Sequence, residues 1–123
     1  MNILSALDRM PTPSAADMAS RRQLGRPYTL VFLRKGPAFL DDETLDEQLQ
    51  LQHLQHLTKL QLVGTLVLNG PILAEHDILG VSVYAAALEE ARALAEADPK
   101  VQAGYLVVEA LPWFAVPSDT KSE

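Results

Sequence analysis

Two apolar stretches rich in β-branched and aromatic residues, YTLVFLR (28–34) and TLVLNGP (65–71), flank DDETLDEQLQLQHLQHLTKLQLV (41–63), which contains neither Gly nor Pro. The flanking stretches read as strands. The long run, rich in Leu, Gln and Glu, reads as a helix from about Glu43 to Val63. Asp41 or Asp42 can cap it, its acidic first turn suits the helix dipole, and Gly64 stops it. The same alternation continues downstream. AEHD is a short polar turn, ILGVSVY (78–84) a third strand, ALEEARALAEAD (87–98) a second helix, and GYLVVEALPWF (104–114) a last strand. The order is strand, helix, strand, strand, helix, strand. Two helices hide their apolar stripes together only against one face of a shared sheet. Right-handed crossovers then give an α+β, ferredoxin-like βαββαβ arrangement with an antiparallel sheet.

The other sheet face has no cover from the chain itself. Yet the strands are apolar on both alternations: Tyr28, Leu30 and Phe32 on one side, Val31 and Leu33 on the other, and Leu106, Val107 and Val108 in succession. A strand that is apolar on both faces is buried on both. A second copy of the chain is therefore expected against the bare face, as a homodimer.

Composition narrows the function classes. The 123 residues fit one domain. Residues 1–26, with Pro11 and Pro13 among Ser, Ala and Met, read as a flexible or loosely docked extension with one helical turn near Met1–Arg9. Residues 27–117 form the domain, and 118–123 a C-terminal tail that should fray. The net charge is −6, and the basic residues do not cluster beyond Arg21, Arg22 and Arg26, so no nucleic acid is expected as partner. With no cysteine there is no disulfide framework, thiolate nucleophile or cysteine zinc site. The N-terminus lacks the basic start and apolar core of a secretory signal, and no apolar run approaches membrane-spanning length. These features point to a cytoplasmic protein without membrane association.

Three histidines invite chemistry. At 100° per residue, Leu45, Leu49, Leu57, Leu60 and Val63 fall in one sector about 120° wide, and His53 and His56 fall inside it. Gln48, Gln52, Gln55 and Lys59 lie opposite. Both imidazoles should thus face the sheet, as core or rim histidines or as site residues. A metal would need a third ligand that the helix face does not offer, so no metal is expected. His76, in AEHD, should be solvated. Farther on, Asp98 followed by Pro99, with Gly104 closing, reads as the N-cap of a short helical turn. Its carboxylate could also reach a histidine of the first helix, fix the ring tautomer and raise its basicity.

The segments HLQHLTKLQLVGTLVLNGP and LEEARALAEADPKVQAGYLVVEALPW resemble the YCII-related family from about Tyr28 to Trp113. The shared pattern is a helical His, a Gly eleven residues on, a strand ending in Gly-Pro, a Leu-Glu-Glu-Ala helix, Ala-Asp-Pro, Ala-Gly, and a last strand with Pro and an aromatic. His53, by its offset to Gly64, takes the family's histidine position, and Asp98 the aspartate position. The resemblance implies a dimeric α/β barrel of ferredoxin-like subunits and a cleft in which that pair serves as acid and base. It also implies kinship with a dechlorinating enzyme for a chlorinated hydroquinone and a fold like that of muconolactone isomerases. On this footing the expected catalytic residues are His53 and Asp98, and the expected substrate-binding residues are His56, Arg34, Gly70 and Pro71.

The chain departs from the family in two places. Gln50, Leu51 and Gln52 stand where members often carry Arg-Pro-Ala, so an anion-holding arginine is missing; Arg34 or Lys35 could replace it. Ala86 and Ala87 stand where a capping Ser or Asp is usual. No phosphate loop, dinucleotide fingerprint or G-x-S-x-G is present, and no cofactor is expected. Two functions fit a small-molecule ligand: a cofactor-independent lyase or isomerase using the His–Asp pair on a cyclic or carbonyl substrate, or a non-catalytic binding or interaction module with a structural His–Asp pair.

Overall fold

The computed structural model describes residues 2–39 and 47–118. The chain divides into a unit spanning Pro27–Phe114 and a second one made of the N-terminal residues to Arg26 with the chain from Ala115 onward. In the larger unit, β1 (Arg26–Lys35) leads to α3 (Glu47–Leu62), β2 (Leu66–Pro71), β3 (Ile78–Tyr84), α4 (Leu88–Glu96), the short α5 (Pro99–Gln102) and β4 (Leu106–Ala115). The four strands form one antiparallel sheet in the order β2-β3-β1-β4, the α+β, ferredoxin-like arrangement expected from the element order.

Pleating decides which side chains meet the helices. β1 and β3 pair Thr29 with Tyr84, Val31 with Ser82 and Leu33 with Gly80, and all six are buried. Leu66 of β2 and Leu106 and Ala110 of β4 join them, under Leu57 and Leu60 of α3 and Ala91 and Ala95 of α4. Each buried leucine contributes about 1.5–3 kcal/mol. The opposite alternation leaves Leu68, Val107 and Leu111 exposed and Leu30, Phe32, Val81 and Val83 half-buried. This is the bare face that the sequence assigns to a second copy.

Local chemistry sets the ends of these elements. Gly64, at φ +85°, and Thr65, whose N–H returns to Leu60 O, close α3. Val63 lies past the last helical residue and is 74% exposed, so it is not on the buried stripe where helical phase put it. The expected caps Asp41 and Asp42, with Glu43 and Leu45, lie outside the described residues. The second helix is shorter than the sequence suggests. Ala87 offers no capping side chain, and the helix stops at Glu96 because Asp98-Pro99 begins α5.

The other unit is more ordered than its composition suggests. Helix α1 (Ile3–Arg9) is capped by Asn2, and a second helix, α2 (Ala15–Arg22), stands where the sequence reading has irregular chain. Its start carries a reciprocal cap: Asp17 N–H donates to Ser14 Oγ (3.1 Å) and Ser14 N–H to Asp17 Oδ2 (2.8 Å). Those bonds hold the Asp17 carboxyl below its ordinary range. S-x-x-D before a run of good helix formers was the readable signal. The frayed tail expected from 118 onward lies, beyond Ser118, outside the described residues. Among the described residues no helix is long and apolar enough to cross a membrane.

Candidate active site

Helix α3 presents His53 to the start of α5 and His56 to the end of α4. Asp98, at the junction of α4 and α5, is the N-cap of α5, with Pro99 at its first position. Its backbone is extended, and its carbonyl accepts from the N–H groups of Val101 and Gln102, both at 2.9 Å. The carboxylate divides its work. Oδ1 accepts the Lys100 N–H at 2.9 Å, which is the cap. Oδ2 lies 2.5 Å from His53 Nδ1. A carboxylate only 1% exposed is thus satisfied on both oxygens, as burial of a charge demands. A hydrogen bond to a carboxylate is stronger than one between neutral groups.

The geometry sets the ring's tautomer. With Asp98 ionised, His53 donates from Nδ1 and its Nε2 carries the lone pair. No described group bonds Nε2, and the His53 side chain keeps 12% exposure. An imidazole nitrogen left without a protein partner beside a buried carboxylate is chemically able to take up or give a proton.

Neighbouring contacts tie the helices that carry the pair. His56 Nε2–H donates to Leu94 O at 2.8 Å. Leu94 is in the last turn of α4, where carbonyls lack intrahelical partners, so His56 closes that helix end and joins α3 to α4. Lys100 Nζ donates to Gln50 Oε1, a second link from α5 to α3 one turn before His53. A lysine thus stands beside the position where the family's arginine is missing.

The structure does not gather all the residues expected to bind substrate. His56 faces the pair's side of α3, but one ring nitrogen is occupied by Leu94 O. Arg34 is not beside His53. It pairs with Glu109 (2.8 Å) and Asp77 (3.1 Å), which raise its pKa further, and Glu109 alternates with the buried Ala110. Arg34 therefore belongs to the bare sheet face, because pleat parity sends it opposite to Leu33. Gly70 and Pro71 pair with Val81 and Gly80 at the end of β2 and make no hydrogen bond to His53 or Asp98. A side chain at Gly70 would meet nothing within 4 Å. His76 is exposed, and its Nδ1 accepts the Ile78 N–H at 2.9 Å, shaping the turn. Among the described residues no three His, Cys, Asp or Glu side chains could hold a metal ion.

Sequence reasoning passed over one residue near the pair. Tyr84 is buried on the helix-covered face, and burial, then the nearby Asp98 charge, pushes its phenol up to about 12. The signal was present: once Val31 faces the helices, strand parity and pairing bring Thr29, Ser82 and Tyr84 to the same face.

The profile of the YCII-related domain matches residues 28–114. No curated protein matches the chain at a significant level. Among solved structures, 5-chloro-2-hydroxyhydroquinone dehydrochlorinase (TftG) from Burkholderia phenoliruptrix AC1100, in complex with 2,5-dihydroxybenzoquinone, is similar with a TM-score of 0.54. It shares 19% sequence identity over 70% of this chain and 92% of that chain. Identity at this level speaks for the fold, and that fold is the one described above.

Proposed function

This chain belongs to the YCII-related domain family, and from that premise we propose that it binds a small cyclic or carbonyl compound and acts on it with His53 and Asp98. The reaction is of the lyase or isomerase type and uses no cofactor. His53 Nε2 takes a proton from the substrate, and the electron pair left behind moves toward a substrate oxygen. The proton returns at another atom in an isomerisation, or a leaving group departs with an electron pair in an elimination. Asp98 touches no substrate. It holds His53 in the tautomer with a free Nε2 and stabilises the imidazolium that forms. The observation that carries this reading is the 2.5 Å contact between His53 Nδ1 and a buried Asp98 oxygen, with the ring's other nitrogen unbonded among the described residues.

The alternative is a binding module in which the pair is structural, and it draws support from the second task of Asp98 as the cap of α5. We further propose that two copies pair through the bare sheet face that exposes Leu68, Val107 and Leu111. Sedimentation showing only a 13.5 kDa species at micromolar concentration would defeat the dimer. The cysteine-free composition fits a cytoplasmic setting.

Calorimetric titration with 2,5-dihydroxybenzoquinone, the ligand of the similar dehydrochlorinase, tests the site. Saturable binding by the wild type, weakened at least about tenfold in His53→Ala, is expected. Absence of saturable binding, or equal binding by His53→Ala, refutes the site. Binding without turnover of any hydroxyquinone or hydroquinone offered favours the module.

A further inference from the structure

Helix α5, Pro99–Gln102, is a single turn of four residues. A helix of that length has no stability of its own in water, so its place depends on what ties it down. At its start, Asp98 Oδ1 accepts the Lys100 N–H at 2.9 Å. At its end, Tyr105 N–H returns to Lys100 O at 3.0 Å, and Gln102 Nε2 donates to Glu96 O at 2.5 Å. Two side-chain contacts run across to α3: His53 Nδ1 with Asp98 Oδ2, at 2.5 Å, and Lys100 Nζ with Gln50 Oε1. Gln50 and His53 stand three residues apart on α3, so they are neighbours on its surface. Asp98 and Lys100 flank Pro99. The two contacts are thus adjacent rungs between the same two elements. One rung alone would let α5 pivot about the Asp98–His53 bond, whereas two also fix its angle. Lys100 serves both ends, because its backbone N–H grips the carboxylate and its side chain grips α3.

We propose that Lys100 is a positioning residue of the His53–Asp98 pair: its side chain, through Gln50, locks α5 to α3 and so holds the Asp98 carboxylate in line with His53 Nδ1. The role goes beyond the preceding reading and rests on it, since the pair must be the reacting site for its alignment to matter. Asp98 acts only through the ring, by fixing its tautomer and stabilising the imidazolium. A hydrogen bond that lengthens or bends does this less well, because its strength falls steeply with misalignment. Gln50 suits the task as a neutral acceptor; a carboxylate at that position would set a second negative charge beside His53. Gln50 is exposed and Lys100 half-buried. A contact at the surface adds little to overall stability, so its loss should register at the pair and not in melting.

The test follows the ring protons of the full chain by NMR, in wild type, Lys100→Met and Gln50→Leu. Lys100→Met removes the rung and keeps the backbone N–H that caps onto Asp98 Oδ1. Gln50→Leu breaks the same rung and leaves the lysine charge in place. The His53 Nδ1–H resonance is identified by its loss in His53→Ala, and the His56 Nε2–H resonance by its loss in His56→Leu. Exchange of His53 Nδ1–H with water should quicken about tenfold in both Lys100→Met and Gln50→Leu, a factor set by a modest weakening of one bond. His56 Nε2–H, bonded to Leu94 O, should exchange as in the wild type, because that tie joins α3 to α4. Unchanged exchange at His53 in the two variants overturns the proposal and leaves the pair standing. Quickening in Lys100→Met but not in Gln50→Leu also overturns it, since charge and not the rung would then be at work. Equal quickening at His56 overturns it too, as general loosening of α3. If the wild type shows no resonance that His53→Ala removes, the pair is absent, and the preceding reading falls with this one.

Discussion

Replacing Asp98 separates its two roles, because each oxygen has one. Asp98→Ala removes the cap on Lys100 N–H, which costs about 1 kcal/mol. It also removes the charge-assisted bond to His53 Nδ1, worth about 1.5–3 kcal/mol. The total is about 2.5–4 kcal/mol. For a unit the size of Pro27–Phe114, that lowers Tm by roughly 10–30 °C. Asp98→Asn keeps an oxygen for the cap but turns an amide donor toward Nδ1. His53 can then accept only by moving its proton to Nε2, so the loss falls to about 1–2 kcal/mol while the base at Nε2 disappears. Urea denaturation followed by far-UV circular dichroism, on Asp98→Ala, His53→Ala and the double variant, gives a coupling energy that isolates the pair. About 1.5–3 kcal/mol is expected. A coupling below about 0.5 kcal/mol, the usual error of additivity for independent sites, would refute the bond. Equal stabilities of Asp98→Asn and Asp98→Ala would refute the division between the two oxygens.

Other residues give separate checks. His56→Leu should cost about 1 kcal/mol by leaving Leu94 O unpaired, without changing affinity for 2,5-dihydroxybenzoquinone; a large affinity loss would return His56 to the substrate site. Tyr84 should stay protonated as pH passes its ordinary value of 10.0 and ionise near 12. The folded state favours the neutral phenol, so the associated stability is present below pH 10 and is lost as pH rises toward 12. The difference in ultraviolet phenolate absorbance between wild type and Tyr84→Phe reads this, and ionisation of Tyr84 near pH 10 would contradict it. Gly36→Ala should destabilise by about 1–3 kcal/mol, since a Cβ there collides with the Gly104 carbonyl and crowds the Leu106 backbone; unchanged thermal melting would show that this loop can yield.

Local sequence determined the elements and much of the site's raw material. Residues 78–84 alternate in a strand with the bounds read from the chain, Asp98-Pro99 starts a capped turn, and helical phase turns His53 and His56 inward. Each of these follows from interactions within a few residues, which a single sequence contains. What tertiary structure decided are meetings between residues far apart in the chain. The sequence named His53 and Asp98 as partners through a family resemblance, but the packing of α3 against α5 set the 2.5 Å contact and gave one oxygen to the ring and the other to the cap. It also committed His56 to Leu94 O, a role that helical phase cannot distinguish from ligand binding. The ion pairs of Arg34 were out of reach of the sequence for a related reason. Its place at the end of β1 is legible, but its partner Glu109 is 75 residues away, and only the strand pairing shows both on the bare face. Tyr84 reads as an ordinary strand aromatic until pairing sets it opposite Thr29, under the helices and within the field of Asp98. Side-chain periodicity tells which residues share a face of one element, whereas register and packing between elements determine which faces, charges and hydroxyls converge.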